Sequence, residues 1–393
     1  MSEAQRHPTM ADVAQRAGVS VSTVSRTLRG LATVSPETRA RVEEAVRALS
    51  FVVSRQASSL VTGKTGTVAT LTQSVNSWFM GAAFTGLAAT LRQAGRDLLL
   101  YNVADLAERA AFFDRLPARR NADALLVMSF ALSEAESARL DSLGVPVIYV
   151  SQHAPDRASV YVDDAQGARR GTRHLLNLGH RRIAYVHSLS EGFDFCSHER
   201  RIGYQQALDA AGIPLDESLV VATARGRRAI TEAVGRLLAL ADPPTAIFAE
   251  FDQLAMEVMW TLRAARVDVP GRISVLGFDD HEMAEWMDLS TIAQAPEDIG
   301  RVAGELACLL IDGAEPELDR HIVLPNQLIP RGSTAPPPTR LPAGPHQAPG
   351  PPRTEDPGRG PFPRSGGWEV PPTPGAGGWG HVPGPRGPGR AGG

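Results

Sequence analysis

Residues 9–30 read TMADVAQRAGVSVSTVSRTLRG: two short apolar periods joined at a glycine, with hydroxyls crowded into the second. Thr9 is placed to cap a helix, with Asp12 three residues on, and Val13, Ala14 and Ala17 share its inner face. Gly18 suits the turn, and Ser20 can cap a second helix running to about Arg29. Val24 and Leu28 then anchor that helix inward and leave Val21, Ser22 and Arg26 outward. Ser35-Pro36-Glu37 starts a third helix, with proline at its first position, acid in its first turn, and Val42, Ala45, Val46 and Leu49 at helical spacing. Such a hairpin can lay its second helix in the major groove of DNA. There a guanidinium bonds a guanine edge bidentately, while hydroxyls reach bases or phosphates. For two short helices around a glycine, a solvent-exposed hairpin with no partner is the plain alternative.

The chain of 393 residues, 43% of them hydrophobic, is long enough for two or three domains with cores of their own. Its net charge of −3 is unevenly spread. Residues 1–64 hold nine basic and five acidic groups, and 335–393 hold six and three, which leaves 25 basic against 35 acidic between them. A basic end on an acidic body directs a polyanion to that end. No run of apolar residues reaches membrane-spanning length, and the first ten residues have no apolar core of a secretory signal. Two cysteines, Cys196 and Cys308, are too few for a disulfide framework, so a reducing cytoplasm is expected.

From 66 onward, β-rich runs alternate with amphipathic stretches. The strand candidates are GTVATLTQ, DLLLYNV, ADALLVMS, PVIYVSQ, RIAYVHS, TAIFAEF and ISVLGFDD; the helical stretches include 80–94, 165–178, 199–211 and 228–241. Near-continuous apolar strands separated by helices predict parallel sheets covered on both faces. The repeat of that pattern over so many residues predicts two lobes, with ligand at the C-terminal ends of strands in the cleft between them. Beyond 335 more than half the residues are proline or glycine, which predicts a disordered tail.

The string T-x-x-D-V-A-x-x-A-G-V-S-x-x-T-V-S-R closely resembles the amino-terminal motif of the lactose-repressor (LacI/GalR) family of bacterial transcription regulators, and VSPETRARVEEAVRALSF at 34–51 resembles that family's third helix. The resemblance runs to about residue 332. It implies an all-α helix-turn-helix DNA-binding domain over 1–53, a hinge helix over 54–65, a two-lobed α/β body like a periplasmic binding protein over 66–332, and a disordered Pro/Gly-rich tail over 333–393. Val21, Ser22 and Arg26 match base-reading positions, while Thr9, Thr23, Ser25 and Arg29 match positions that hold the DNA backbone. Arg29 stands where the family usually has asparagine. In the hinge, Ala57 matches a minor-groove position and Leu60 the leucine that wedges into a base step, although a staple between helix and sheet would also use a leucine. Ser54 and Ser58 depart from the usual asparagine and arginine, so fewer charged contacts are expected there.

In the body, NSWFMG at 76–81 resembles the family's aromatic loop, bringing Trp78 and Phe79 towards an effector. Arg200 matches the arginine that bonds an effector hydroxyl, and Asp279 in GFDD matches the aspartate that takes a sugar diol. A solvated arginine and a helix-capping aspartate are the alternatives for these two. Phe251 stands in place of an asparagine and exchanges an amide contact for a ring face, Asp164 also replaces an asparagine, and Phe193 and Trp286 are further stacking candidates.

The expected protein is a cytoplasmic, effector-responsive regulator, a repressor in its simplest form. It binds a palindromic double-stranded operator as a homodimer, with a tetramer as the larger option, and answers to a sugar-like effector. No metal, cofactor, catalytic group or membrane partner is expected: Cys196, His198 and DDHE at 279–282 complete no metal spacing, and no phosphate loop or nucleophile elbow occurs. A sugar-binding protein without operator function and a nucleotide-using α/β enzyme are the rival readings.

Overall fold

A computed structural model describes residues 8–28, 33–51, 64–129, 131–189, 196–313 and 321–338. Three helices open the chain: α1 Met10–Ala17, α2 Val21–Leu28 and α3 Pro36–Ala48. Thr9 and Asp12 close a capping box on α1, and Gly18 ends it at φ 63°, the left-handed turn that glycine adopts without a Cβ penalty. Ser35 caps α3 ahead of Pro36. Val13, Ala14, Ala17, Val24, Val42 and Ala45 form the small core of this unit. The inward anchor of α2 differs in one respect from the sequence reading. Thr27 is buried and Leu28 only half-buried, because the Thr27 hydroxyl donates to the Thr23 carbonyl at 2.9 Å and so enters the core satisfied.

The body contains two six-stranded sheets. The first holds β1 Thr67–Thr72, β2 Asp97–Asn102, β3 Ala124–Met128, β4 Val147–Val150 and β5 Ser159–Val162. The second holds β6 Ile183–Ser188, β7 Val220–Thr223, β8 Ala246–Ala249, β9 Ser274–Asp279 and β10 Ser290–Ala293. The chain then returns to give β11 His321–Leu324 to the first sheet and β12 Gln327–Ile329 to the second. The orders are β11-β5-β4-β3-β1-β2, all parallel, and β12-β10-β9-β8-β6-β7, parallel except for β12. Central strands β3 and β8 are buried at every residue, as expected where both faces are covered.

Among the described residues nine helices cover the sheets: α4 Trp78–Gln93, α5 Leu106–Arg115, α6 Glu134–Asp141, α7 Asp164–Asn177, α8 Cys196–Ala210, α9 Arg227–Leu238, α10 Asp252–Ala264, α11 Glu282–Trp286 and α12 Pro296–Ile311. Each sheet has an apolar core on both faces. The chain passes between the lobes three times: after β5, after β10 and between β11 and β12. Although α12 follows the second sheet in sequence, its Ile299, Ala303 and Ala307 fill the core of the first lobe.

The end of the body lies later than its sequence places it. The packed body runs past its expected end at 332: Val275 N donates to the Ser333 carbonyl at 2.8 Å, and Ala335 N donates to Ser274 Oγ at 3.0 Å. Residues 333–338 therefore belong to the second lobe, although their composition is that of the tail. The expected hinge over 54–65 lies outside the described residues up to 63, as does the tail from 339.

Candidate functional site

The outward face of α2 is the first candidate. Val21 is 46% exposed, Ser22 and Arg26 are exposed, and Thr23 and Ser25 are half-buried beside them. Thr23 N donates to Ser20 Oγ at 3.2 Å, and that hydroxyl also bonds Ser22 Oγ at 2.8 Å and Thr23 Oγ1 at 2.9 Å. Arg26 Nε donates to the Ser22 carbonyl at 3.2 Å and an Nη donates to Ser22 Oγ at 3.4 Å, so the guanidinium lies along its own exposed helix face. Thr9 is exposed but engaged: its N and Oγ1 both donate to Asp12 Oδ2 at 2.7 Å. Arg29, Ala57 and Leu60 lie outside the described residues.

The second candidate is a cavity of about 170 Å³ between the lobes. Its walls collect the residues just beyond the C-terminal ends of parallel strands: Gln73 after β1, Ser129 after β3, Ser151 after β4, Ser188 closing β6, Glu250 after β8 and Asp279 closing β9. This is where open parallel sheets present their loops to a ligand. Trp78, Phe79, Arg200, Phe251 and Asp279, five of the residues singled out from the sequence, line it. Trp78 begins α4, which Ser77 caps, and meets His281 of the second lobe with ring centroids 4.8 Å apart. Phe251 occupies the cap position of α10 without a capping hydrogen bond and packs against the second lobe's core.

Arg200 is buried at 5% exposure, not solvated. Its Nε donates to Asp164 Oδ1 at 2.7 Å, one Nη donates to the Glu250 carbonyl at 2.6 Å, and the other lies 3.5 Å from Asp279 Oδ1. The guanidinium also sits 3.7 Å above the Phe278 ring. Asp279 does not cap the helix that follows; His281 does, and Asp279 Oδ1 instead accepts from Gln294 Nε2 at 2.7 Å. Its backbone is held at φ 117°, outside the ordinary range of a side-chain-bearing residue, and such strain gathers at functional sites.

Burial sets the electrostatics. It pushes the Asp279 carboxyl up to about 6, against the pull of Arg200. Burial likewise raises Asp164, with Arg200 opposing, and raises the Cys196 thiol well above its usual value. Behind the wall Asp252 is raised well above the carboxylate range, first by burial and then by the charge of Asp279, while accepting from Thr291 Oγ1 at 2.7 Å. Burial alone would lower Arg200, but Asp164 and Asp279 hold it above the ordinary arginine value.

Sequence reading missed Glu250, Gln294 and Ser151 as lining residues, and noted Asp164 only as a departure. Glu250 stands directly after the apolar run AIFA, so its position at a strand end was the available signal. Trp286 is not in the cavity; it is 84% exposed on the outside of the second lobe. Phe193 lies outside the described residues. Among the described residues no group of three or more His, Cys, Asp and Glu is placed to hold a metal ion, and no helix is long and apolar enough to cross a membrane.

Comparison with known proteins bears on both sites. Residues 9–54 match the bacterial regulatory proteins of the lacI family, and 172–334 match a periplasmic binding protein-like domain. The HTH-type transcriptional regulator GalS of Salmonella typhimurium is 33% identical over 338 residues, which cover 83% of this chain and 96% of that protein. The HTH-type transcriptional regulator CelR of Thermobifida fusca is 33% identical over 321 residues, 79% of this chain and 93% of that protein. The solved CelR–cellobiose complex superposes with a TM-score of 0.61 at 30% identity, covering 83% and 99% of the two chains. The lac repressor dimer bound to operator shares the fold, with a TM-score of 0.72 at 23% identity over 84% and 100%. A chain with this amino-terminal trihelical unit, this two-lobed body and relatives at this identity over most of its length belongs to the lacI family of bacterial regulatory proteins and is a DNA-binding transcriptional regulator.

Proposed function

We propose that this regulator works in the cytoplasm as a homodimer gripping a palindromic operator, and that a sugar or glycoside in the inter-lobe cavity alters the grip. The observation that carries the reading is the pairing of two surfaces. One helix turns Val21, Ser22 and Arg26 outward, and a separate cavity gathers aromatic faces, a guanidinium and carboxylates at strand ends. That mixture suits a ring with hydroxyls on its edge. The cellobiose in the CelR complex and the ribose in a LacI-family regulator of Enterococcus faecium support a sugar-like effector. Thr9, Thr23, Ser25 and Arg29 would hold the DNA backbone, and Ala57 and Leu60 the minor groove, as the matching motif implies. Relatives that regulate transcription favour reading the cavity as a binding site and not a catalytic one.

Ligand in the cleft draws the lobes together, and coupling of this kind is typically worth about 1–3 kcal/mol, or about 5–150-fold in operator affinity. The test begins with an operator selected from random DNA by the purified chain. Arg26→Ala should weaken specific binding by about tenfold or more, since one bidentate base contact contributes about 1–3 kcal/mol. Fluorescence anisotropy reads this, and wild-type affinity in the variant would remove Arg26 from the base-reading set.

A further inference from the structure

Glu250 is a buried carboxyl with no ion-pair partner among the described residues. Its residue is 5% exposed and lines the cavity. Oε2 accepts from Ser188 N at 2.7 Å and Ser188 Oγ at 2.9 Å, but among the described residues no ion pair reaches it. Arg200, the nearest guanidinium, bonds the Glu250 backbone carbonyl and gives its charge to Asp164 and Asp279. The stretch 190–195 contains no basic residue that could come to it.

The rest of the cavity does not restore the balance. Asp164, Glu250 and Asp279 face a single buried guanidinium. Arg225, at the rim, is engaged by Glu257, whose carboxyl burial raises and the Arg225 charge partly draws back down. His281 is pushed below its usual pKa by burial and uses Nδ1 to accept from Met283 N. The excess shows at Asp279, where burial first, and then Asp164 and Glu250, oppose ionisation. A buried carboxylate without a cation costs free energy unless a partner arrives. Two further features point to a ligand. Among the described residues Ser151 Oγ is buried at the cavity wall with no hydrogen-bond partner, and the Trp78 ring, which meets His281, lines the same cavity.

We propose that the effector bears a basic nitrogen, as an amino sugar does, and that Glu250 receives its ammonium group while Trp78 covers the ring. This rests on the reading of the cavity as an effector site and narrows the class. An amine answers the surplus carboxylate, supplies up to three donors and gains from the aromatic face. A phosphorylated or acidic sugar would add negative charge to a wall that already has too much.

Calorimetry on the full chain at pH 7.5 tests this with matched sets: glucose, glucosamine, N-acetylglucosamine and glucose 6-phosphate, and the galacto and manno equivalents. The amine of at least one set should bind ten times or more tighter than its neutral and acetylated partners, and the phosphate should not bind. Glu250→Gln, shown to be folded by cooperative thermal unfolding, should reduce that preference to under threefold. Preference for a neutral or phosphorylated member overturns the proposal while leaving the effector reading standing, as does an unchanged amine preference in Glu250→Gln. Absence of heat with every member overturns both.

Discussion

Arg200 was marked from its motif as a donor to an effector hydroxyl, yet most of its bonding is internal. The same is true of Asp279. Their placement in the cavity is legible from the family match at Arg200 and from GFDD, but their partners are not. Asp164 lies 36 residues from Arg200, and the Glu250 carbonyl 50 residues away, so no local spacing records either contact. The consequence for Asp279 is a stability that depends on pH. Its carboxyl takes a proton more readily folded, near 6, than at its ordinary value of 3.8, so stability is lost as pH rises between those values and stays lost above. Asp279→Asn keeps an oxygen for Gln294 and removes the buried charge. It should be more stable than wild type at pH 8 by at most about 3 kcal/mol, and so unfold at a higher temperature, with the gap narrowing at pH 5. Scanning calorimetry at both pH values checks the sign. Arg200→Ala should act oppositely, losing about 3–5 kcal/mol because it strands Asp164 and Asp279 without their cation, with the loss deepening above pH 6.

At the level of elements, caps and β-branched runs were readable and long-range pairings were not. Thr9, Ser20 and Ser35 stand where the hydroxyl pattern put helix starts, and seven strands fall on the seven apolar runs. The strands that went unread, β5, β7, β10, β11 and β12, have three or four residues each with at least one polar among them, whereas the equally short β4 and β8 are wholly apolar. Equally invisible were the glycines that let helices touch. A Cβ on Gly300 of α12 would fall on the Ala83 carbonyl of α4, and one on Gly203 of α8 would fall on the Ala165 carbonyl of α7. Both obstacles are backbone and cannot swing away. Gly300→Ala and Gly203→Ala should each destabilise by about 1–3 kcal/mol, measured by denaturant unfolding, whereas Gly235→Ala, with open space around its Cβ and a better helix former in place, should not.

For the whole molecule, the proposed palindromic operator calls for a second copy, and one surface of the second lobe is suited to receive it. Trp286 is 84% exposed and Trp260 44%, with Arg227 stacked 4.1 Å above the Trp260 ring. Arg263, Arg266, Glu232 and Asp268 surround them, giving both signs of charge to a face that must complement itself. Aromatic and arginine side chains are the usual anchors of such contacts. Trp260→Glu with Trp286→Glu should sediment as a monomer at concentrations where wild type is a dimer, and should bind the operator at least tenfold more weakly. A double variant that remains dimeric would place the interface elsewhere.

The threefold passage of the chain between its sheets has a consequence for how the gene can be cut. Neither lobe is an unbroken stretch of codons: the first needs 66–163 and 296–324, the second 164–295 and 325–338. A stop codon near 295 would delete only distal sequence, yet it would take Ile299, Ala303 and Ala307 from the proximal lobe and open a trough along its sheet. Fragments designed by splitting the message at one point should therefore misfold on both sides of the split, and only a rearranged order of segments would yield either half alone.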